Sequence, residues 1–253
     1  MNIDKQLVER RFSKRFATYH RLAVVQKEMA LRLSTAIAHR RADADILRGL
    51  EIGIGTGFLS TRLLEQYPTA TWYFNDLVAQ AFDWVSRQAD QKHVAFLPGD
   101  AERIAFPEKL DLLASASAMQ WFEDIPAFLS KASTALNPGG LLALGTFAPG
   151  NLDEVNRAAG SGLEYPSVDC LKQWLLATGF RGIHIECWEH ALLFPNAAGV
   201  LRHLRDTGVN AVTSSIWTPR RLRCFCDNYE RQFRRPNGNV TLTYKPLLLT
   251  AVR

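Results

Sequence analysis

Cysteine is scarce in this chain: Cys170, Cys187, Cys224 and Cys226 are the only four in 253 residues. That is too few and too scattered for a disulfide framework, and it points to a reduced, cytoplasmic protein. No apolar run approaches the roughly 18 residues that a membrane helix needs. The opening Met1-Asn2-Ile3-Asp4-Lys5 places an acid early and has no apolar stretch behind it, unlike a secretory signal. Internal repeats and low-complexity segments are also missing. With 47% apolar and 22% charged residues, the composition excludes disorder and suits one large α/β domain or two small ones.

The net charge of +5 is unevenly spread. Residues 1–48 hold 11 Lys/Arg against 5 Asp/Glu, a balance of +6. Residues 49–180 hold 8 against 15, a balance of −7. Residues 181–253 return to 11 against 5, again +6. Two basic flanks enclose an acidic middle, and such flanks attract a polyanion: nucleic acid, an acidic protein or a membrane face. The plainer reading is a solubilising surface.

Leu22, Val25, Met29, Leu33 and Ile37 recur at three- and four-residue spacing, the stripe of an amphipathic helix over 22–39. Phe12, Phe16 and Tyr19 repeat that spacing among arginines and lysines, so the N-terminus reads as helical, basic outside and aromatic inside. From residue 46 short apolar runs (46–52, 70–74, 93–97, 110–114 and 141–147) alternate with helix-like stretches near 57–66, 78–89 and 125–136. Strands alternating with helices give βαβ units and a doubly wound parallel sheet. Asn137-Pro138-Gly139-Gly140 is a sharp turn into the last of those runs. Beyond a looser stretch at 150–166, helices are expected at 168–178, 196–207 and 219–233. The last opens on Thr218-Pro219, a cap followed by proline. Strands at 183–190 and 240–252 complete the sheet.

The chemistry begins at Glu51-Ile52-Gly53-Ile54-Gly55-Thr56-Gly57, between a strand and a helix. Glycines there let backbone approach a ligand where a Cβ would collide. The spacing is G-x-G-x-G, not the dinucleotide G-x-G-x-x-G, and an acid stands two places before the first glycine. A pyrophosphate would be opposed by that carboxylate, whereas an amino-acid moiety tolerates it. Asp76 follows the second strand, 21 residues after Gly55, about where an acid takes two ribose hydroxyls. Asp100 ends the third strand, placed either to accept from an exocyclic adenine amine or to cap the next helix.

These residues together resemble the class I S-adenosylmethionine-dependent methyltransferases, most strongly over 46–147. The resemblance implies a mostly parallel, seven-stranded Rossmann-like sheet with a helical lid. It also implies cofactor contacts at Glu51, Gly53, Gly55 and Thr56 around the methionine part, at Asp76 for the ribose and at Asp100 for the adenine, with Leu77, Ala101 and Ser115 as further cofactor contacts. The expected division is 1–40 as N-terminal lid, 41–150 as cofactor-binding core, and 151–253 as the rest of the core with an inserted lid.

After the fourth strand comes Ser115-Ala116-Ser117-Ala118-Met119-Gln120-Trp121-Phe122. Nucleic-acid amino-methyltransferases carry Asn/Asp-Pro-Pro-aromatic there to hold an extruded base, and this chain does not. Ser-x-x-x-x-Gln-Trp resembles enzymes that methylate carboxylates, including trans-aconitate methyltransferases; Trp121 also reads simply as core. Arg11 to Tyr19, Val25-Gln26, Leu201 to Asn210 and Leu242 to Pro246 resemble the malonyl-acyl-carrier-protein O-methyltransferases of biotin synthesis, which extends the likeness over nearly the whole chain.

That resemblance implies a malonyl carboxylate as acceptor. It is ionised at neutral pH, so no general base is required, and no His-Asp or Cys-His constellation is found. A cation or hydrogen-bond donors must select the free acid over its ester. Arg202 and Arg205, three apart on one helix, are the leading cations. Tyr19, Gln120 and Tyr244 are candidate donors beside Trp121, and Tyr19 and Gln26 are assigned to the cofactor–substrate boundary. Arg220, Arg221, Arg223, Arg231, Arg234 and Arg235 cluster on or just after one helix, a face suited to an acidic carrier protein. Cys224-Phe225-Cys226 has the wrong spacing for zinc, and no metal is expected. The expectation is a monomeric carboxyl O-methyltransferase with S-adenosylmethionine as cofactor, a malonyl carrier protein as partner, and no nucleic acid or membrane. The alternatives are a small-acid (trans-aconitate-type) methyltransferase, an RNA methyltransferase and a non-catalytic binding module of the same fold.

Overall fold

The computed structural model describes residues 3–42, 44–87, 93–160, 162–208 and 218–253. Three helices lead: α1 (Lys5–Ser13), α2 (Phe16–Leu22) and α3 (Val24–Arg40). Asp4 caps α1 by accepting from the Leu7 N–H. The core then alternates β1 (Arg48–Ile52), α4 (Ser60–Gln66), β2 (Thr71–Asp76), α5 (Ala81–Val85), β3 (Val94–Pro98), β4 (Leu110–Ala116), α6 (Ile125–Ala135) and β5 (Leu136–Phe147). After it come α7 (Asp153–Ala159), α8 (Val168–Ala177), β6 (Arg181–Cys187), β7 (His190–Phe194), α9 (Ala197–Asp206), α10 (Pro219–Phe233), β8 (Val240–Tyr244) and β9 (Pro246–Val252).

Seven strands form one sheet in the order β3-β2-β1-β4-β5-β9-β6, with β9 antiparallel to both its neighbours. The doubly wound, mostly parallel sheet expected from the sequence is therefore present. Both of its faces are covered, so successive strand residues bury into opposite layers. In β5, Leu141 and Ala143 join the layer under α3 and α4, while Leu142 and Leu144 join the layer under α6 and α8. The parallel order reverses between β1 and β4, and their C-terminal ends open a crevice there, the usual ligand position in such sheets.

Several boundaries differ from expectation, each for a local reason. The run 240–252 is two strands, not one. Pro246 has no N–H to continue a ladder, so β8 pairs with β7 in a separate two-stranded sheet while β9 enters the large one. The Lys245 N–H between them goes to Asn151 Oδ1 at 2.9 Å. Likewise 183–190 divides into β6 and β7. The expected helix at 78–89 contracts to α5, and residues 88 and 89 lie outside the described residues, as do Val209 and Asn210. Asn137 to Gly140 bulges out of register between the Leu110–Leu136 and Leu112–Leu141 pairs, with Gly139 at φ +79°. Among the described residues no helix is long and apolar enough to cross a membrane.

Candidate active site

β1 delivers Glu51 to the crevice, and the chain then turns through Gly53 (φ +70°) and Gly55 (φ +52°). Positive φ is where glycine is favoured over every other residue. The turn is anchored to the end of β2: the Gly53 and Ile54 N–H groups donate to the Asn75 carbonyl at 2.8 and 3.1 Å. The Gly55 N–H donates to Asp76 Oδ2 at 2.8 Å. A Cβ on Gly53 would stand 2.5 Å from that of Ala118, whereas one on Gly55 would meet nothing within 4 Å. The open space beside Gly55 belongs to a cavity lined also by Glu51, Thr56, Asp76, Leu77, Asp100 and Ala101.

Two acids define the electrostatics. Glu51 is 1% exposed and its Oε2 has no hydrogen-bond partner. Burial pushes its carboxyl up to about 8; the Ser60 hydroxyl acts against this and the charge of Asp76 adds to it. Asp76 is pushed up to about 6 by burial, opposed by the backbone N–H groups of Val78, Gly55 and Leu77. Thr56 Oγ1 is a second buried, unpartnered polar atom in the lining. Buried polar groups are rarely left unpaired, so these two mark the place of a bound molecule. A ligand with an ammonium group beside a ribose satisfies them. The ammonium favours an ionised Glu51, and Asp76, after accepting from Gly55 and Val78, keeps lone pairs for hydroxyls. The residues present thus fit S-adenosylmethionine.

A pH dependence follows from Glu51. Its folded value lies above the ordinary 4.5, so the native state holds a proton that the unfolded chain releases, and stability falls as pH rises from about 4.5 to about 8. Urea unfolding of ligand-free protein should show this decline; Glu51→Gln should flatten its upper part, from about 6 to about 8, leaving the share of Asp76 below it. An equal decline in the variant would remove Glu51 as the cause.

Helices α1 and α2 bring aromatic rings over the opening. Phe12 meets Tyr19 at 5.8 Å and Trp121 at 6.0 Å, and Tyr19 stacks on Phe58 at 6.0 Å. Lys5 ties α1 to the end of β3 through Asp100 at 2.8 Å and through Glu102, which holds the Asp100 carboxyl below the usual range despite partial burial. The carboxylate of Glu102 also accepts from the Glu123 and Asp124 N–H groups.

A family model described as a methyltransferase domain matches residues 50–140, which hold both acids and the glycine turn. Over the full length, the chain is 36% identical to the malonyl-[acyl-carrier protein] O-methyltransferase of Haemophilus influenzae, covering 99% of this chain and 95% of that protein. It is 35% identical to the enzyme of the same name from Bacteroides helcogenes, covering 98% of each. This chain belongs to the malonyl-[acyl-carrier protein] O-methyltransferase family. Among solved structures, the YcgJ protein of Bacillus subtilis aligns with a TM-score of 0.63 at 16% identity, over 88% of this chain and 98% of that one. Haemonchus contortus phosphoethanolamine N-methyltransferase 2, solved with S-adenosyl-L-methionine, aligns with a TM-score of 0.54 at 17% identity, over 87% of this chain and 52% of that one. At such identities these two likenesses concern the fold alone.

Not every residue singled out in the sequence reaches the cavity in this family member. Tyr19, Gln26 and Trp121 do. Ser115 does not line it: its hydroxyl donates to the Ile52 carbonyl at 2.8 Å, joining β4 to β1, and Ser117 and Ala118 take the wall instead. Gln120 spends its amide nitrogen on the Ser117 carbonyl at 2.6 Å, which clamps a 3-10 turn at Met119–Trp121. Tyr244 does not line the cavity either: it is fully buried, its hydroxyl 3.0 Å from His203 Nε2. Burial raises the phenol well above its ordinary value and lowers the His203 imidazole. Arg202 and Arg205 are both exposed, because α9 buries Val200 and Leu204 and so turns the arginines outward. Arg205 pairs with Asp206 at 3.0 Å. Lys5 and Val8 also line the cavity, at helical spacing with Phe12 in α1; the sequence puts Phe12 on an inward aromatic face but assigns none of the three to the site. Among the described residues no cluster could hold a metal ion.

Proposed function

We propose that this chain transfers a methyl group from S-adenosylmethionine to the free carboxylate of a malonyl group on acyl carrier protein, a step of biotin synthesis. The observation that carries this reading is the 36% identity to the Haemophilus influenzae enzyme across 99% of the chain. The paired acids and glycine turn that such a cofactor needs stand beside it. When bound, the cofactor supplies a methyl group on a sulfonium, open to in-line displacement. The acceptor arrives ionised, so the protein has only to align oxygen and methyl and keep water out. Burial and the Asp76 charge keep the Tyr19 phenol above its ordinary value, so it serves as a neutral donor and not as a base.

In this reading residues 1–40 and the helical part of 151–253 form the lid, and the protein works as a cytoplasmic monomer without nucleic acid. The two parts of the lid meet just after α9, where a Cβ on Gly208 would lie 3.2 Å from the Phe12 ring. The first five residues of α10 include the exposed Arg220, Arg221 and Arg223, suited to orient an acidic carrier protein. Arg231, Arg234 and Arg235 engage Asn228, Glu230 and Thr241 of their own chain.

Labelled cofactor offered with malonyl carrier protein, malonyl coenzyme A, aconitate and RNA side by side should label the carrier protein foremost. Transfer confined to RNA or aconitate would overturn the reading. Reversing Arg220 and Arg223 to Glu should raise KM for the carrier substrate about tenfold at low salt and less at high salt. An unchanged KM would move the docking face elsewhere.

A further inference from the structure

We infer that the indole N–H of Trp121 is the donor that recognises the acceptor carboxylate, an inference that rests on the reading just given. Trp121 lines the cavity and is 8% exposed, and its Nε1 is buried without any hydrogen-bond partner. The indole of Trp72, in the core, donates to the Tyr67 carbonyl at 3.3 Å; that of Trp188 is also without a partner, but Trp121 is the one of the two that lines the cavity. A buried donor without an acceptor is a desolvation loss that a phenylalanine would avoid while filling much of the same space. At the cofactor end of this cavity the unpartnered atoms are Glu51 Oε2 and Thr56 Oγ1. Glu51 can only accept once ionised, and a carboxylate would be repelled there. Trp121 Nε1 can only donate.

The ring is held before any ligand arrives. Gln120 closes the turn onto the Ser117 carbonyl at 2.6 Å, and Ser117 adopts φ +62°, an uncommon conformation for a residue other than glycine. Phe12 meets the indole edge-on, with 79° between the ring planes. A donor fixed in this way needs no reorganisation when the substrate binds. The available charge also favours a neutral donor. Among the described residues lining the cavity Lys5 is the one cation, and Asp100 and Glu102 already hold it. A neutral N–H binds a carboxylate far better than the methyl ester formed from it, because the hydrogen bond is charge-assisted only before transfer. The same group therefore selects the acid and lets the product go.

The test compares wild type with Trp121→Phe, measuring kcat/KM for malonyl carrier protein, the inhibition constant of the methyl-ester product, and the dissociation constant of S-adenosylmethionine. The variant should lose about 10- to 100-fold in kcat/KM, with ester inhibition and cofactor affinity within about twofold of wild type. Trp188→Phe, which removes another buried, unpartnered indole N–H but lies outside the cavity lining, should keep the wild-type kcat/KM and preference for acid over ester. Two outcomes overturn the inference: an unchanged kcat/KM in Trp121→Phe, or a parallel loss of acid and ester affinity, which would be a packing effect. If wild type itself leaves malonyl carrier protein unlabelled, the functional reading fails first and takes this inference with it.

Discussion

Asp76→Ala should weaken S-adenosylmethionine binding by about 100- to 1,000-fold while leaving the fold in place. Two losses combine. One carboxylate oxygen accepts from the Gly55 N–H and the other from Val78, each at 2.8 Å, so Asp76 fixes the glycine turn as well as offering its remaining lone pairs to the ribose. Hydrogen bonds to a charged group contribute roughly 1.5–3 kcal/mol each, and a buried N–H left without its acceptor adds a further cost. Asp76→Asn keeps one acceptor oxygen and should lose less. Calorimetric titration checks both variants. Near-wild-type affinity in Asp76→Ala would remove this carboxylate from the ribose site.

Gly53→Ala should destabilise the protein by about 2–4 kcal/mol and abolish cofactor binding. The left-handed conformation alone costs a residue with a Cβ about 1–2 kcal/mol. The contact with Ala118 at 2.5 Å adds to this, because β1 and the Ser117–Ala118 turn must part to relieve it. Gly139→Ala is the control, with a similar φ of +79° and nothing within 4 Å of the added carbon, and should lose only the conformational part. Gly55→Ala should separate the two roles: at φ +52° with no protein atom within 4 Å of the added Cβ, it should lose only the conformational part of the stability while the cofactor is displaced. Equal urea midpoints for Gly53→Ala and Gly139→Ala would discount the Ala118 contact.

The central sheet and the cofactor end of the site were legible because their signals are local. Alternating apolar runs marked β1 to β5, and Glu51, the glycines and Asp76 lie within one βαβ unit. The acceptor end was less legible, because there the fold acts over long range. Spacing correctly put Arg202 and Arg205 on one face of a helix, but which face turns inward depends on Val200 and Leu204 meeting the core. Nothing local to Ser115 reveals that its hydroxyl is taken by Ile52, 63 positions away. The run from Val240 to Val252 reads as one strand because its hydrophobicity is continuous, although Pro246 held the clue to its division. The attachment of Lys5 to Asp100 spans 95 positions, and no periodicity reports such a pair.

The position of β9 has a consequence for how the molecule is made. It is the last strand in chain order, yet it lies between β5 and β6. While the chain is being synthesised, β5 is therefore an open edge, with a row of unpaired backbone groups flanked by Leu141, Leu142 and Leu144, the kind of template on which chains associate wrongly. The sheet can close only when Pro246 to Val252 arrive. Closure then sets non-local pairings in place at once, with the high contact order that slows folding. The newly made chain thus passes through a stage, after β5 and β6 exist and before the seven residues of β9 insert, in which it depends most on protection from its neighbours.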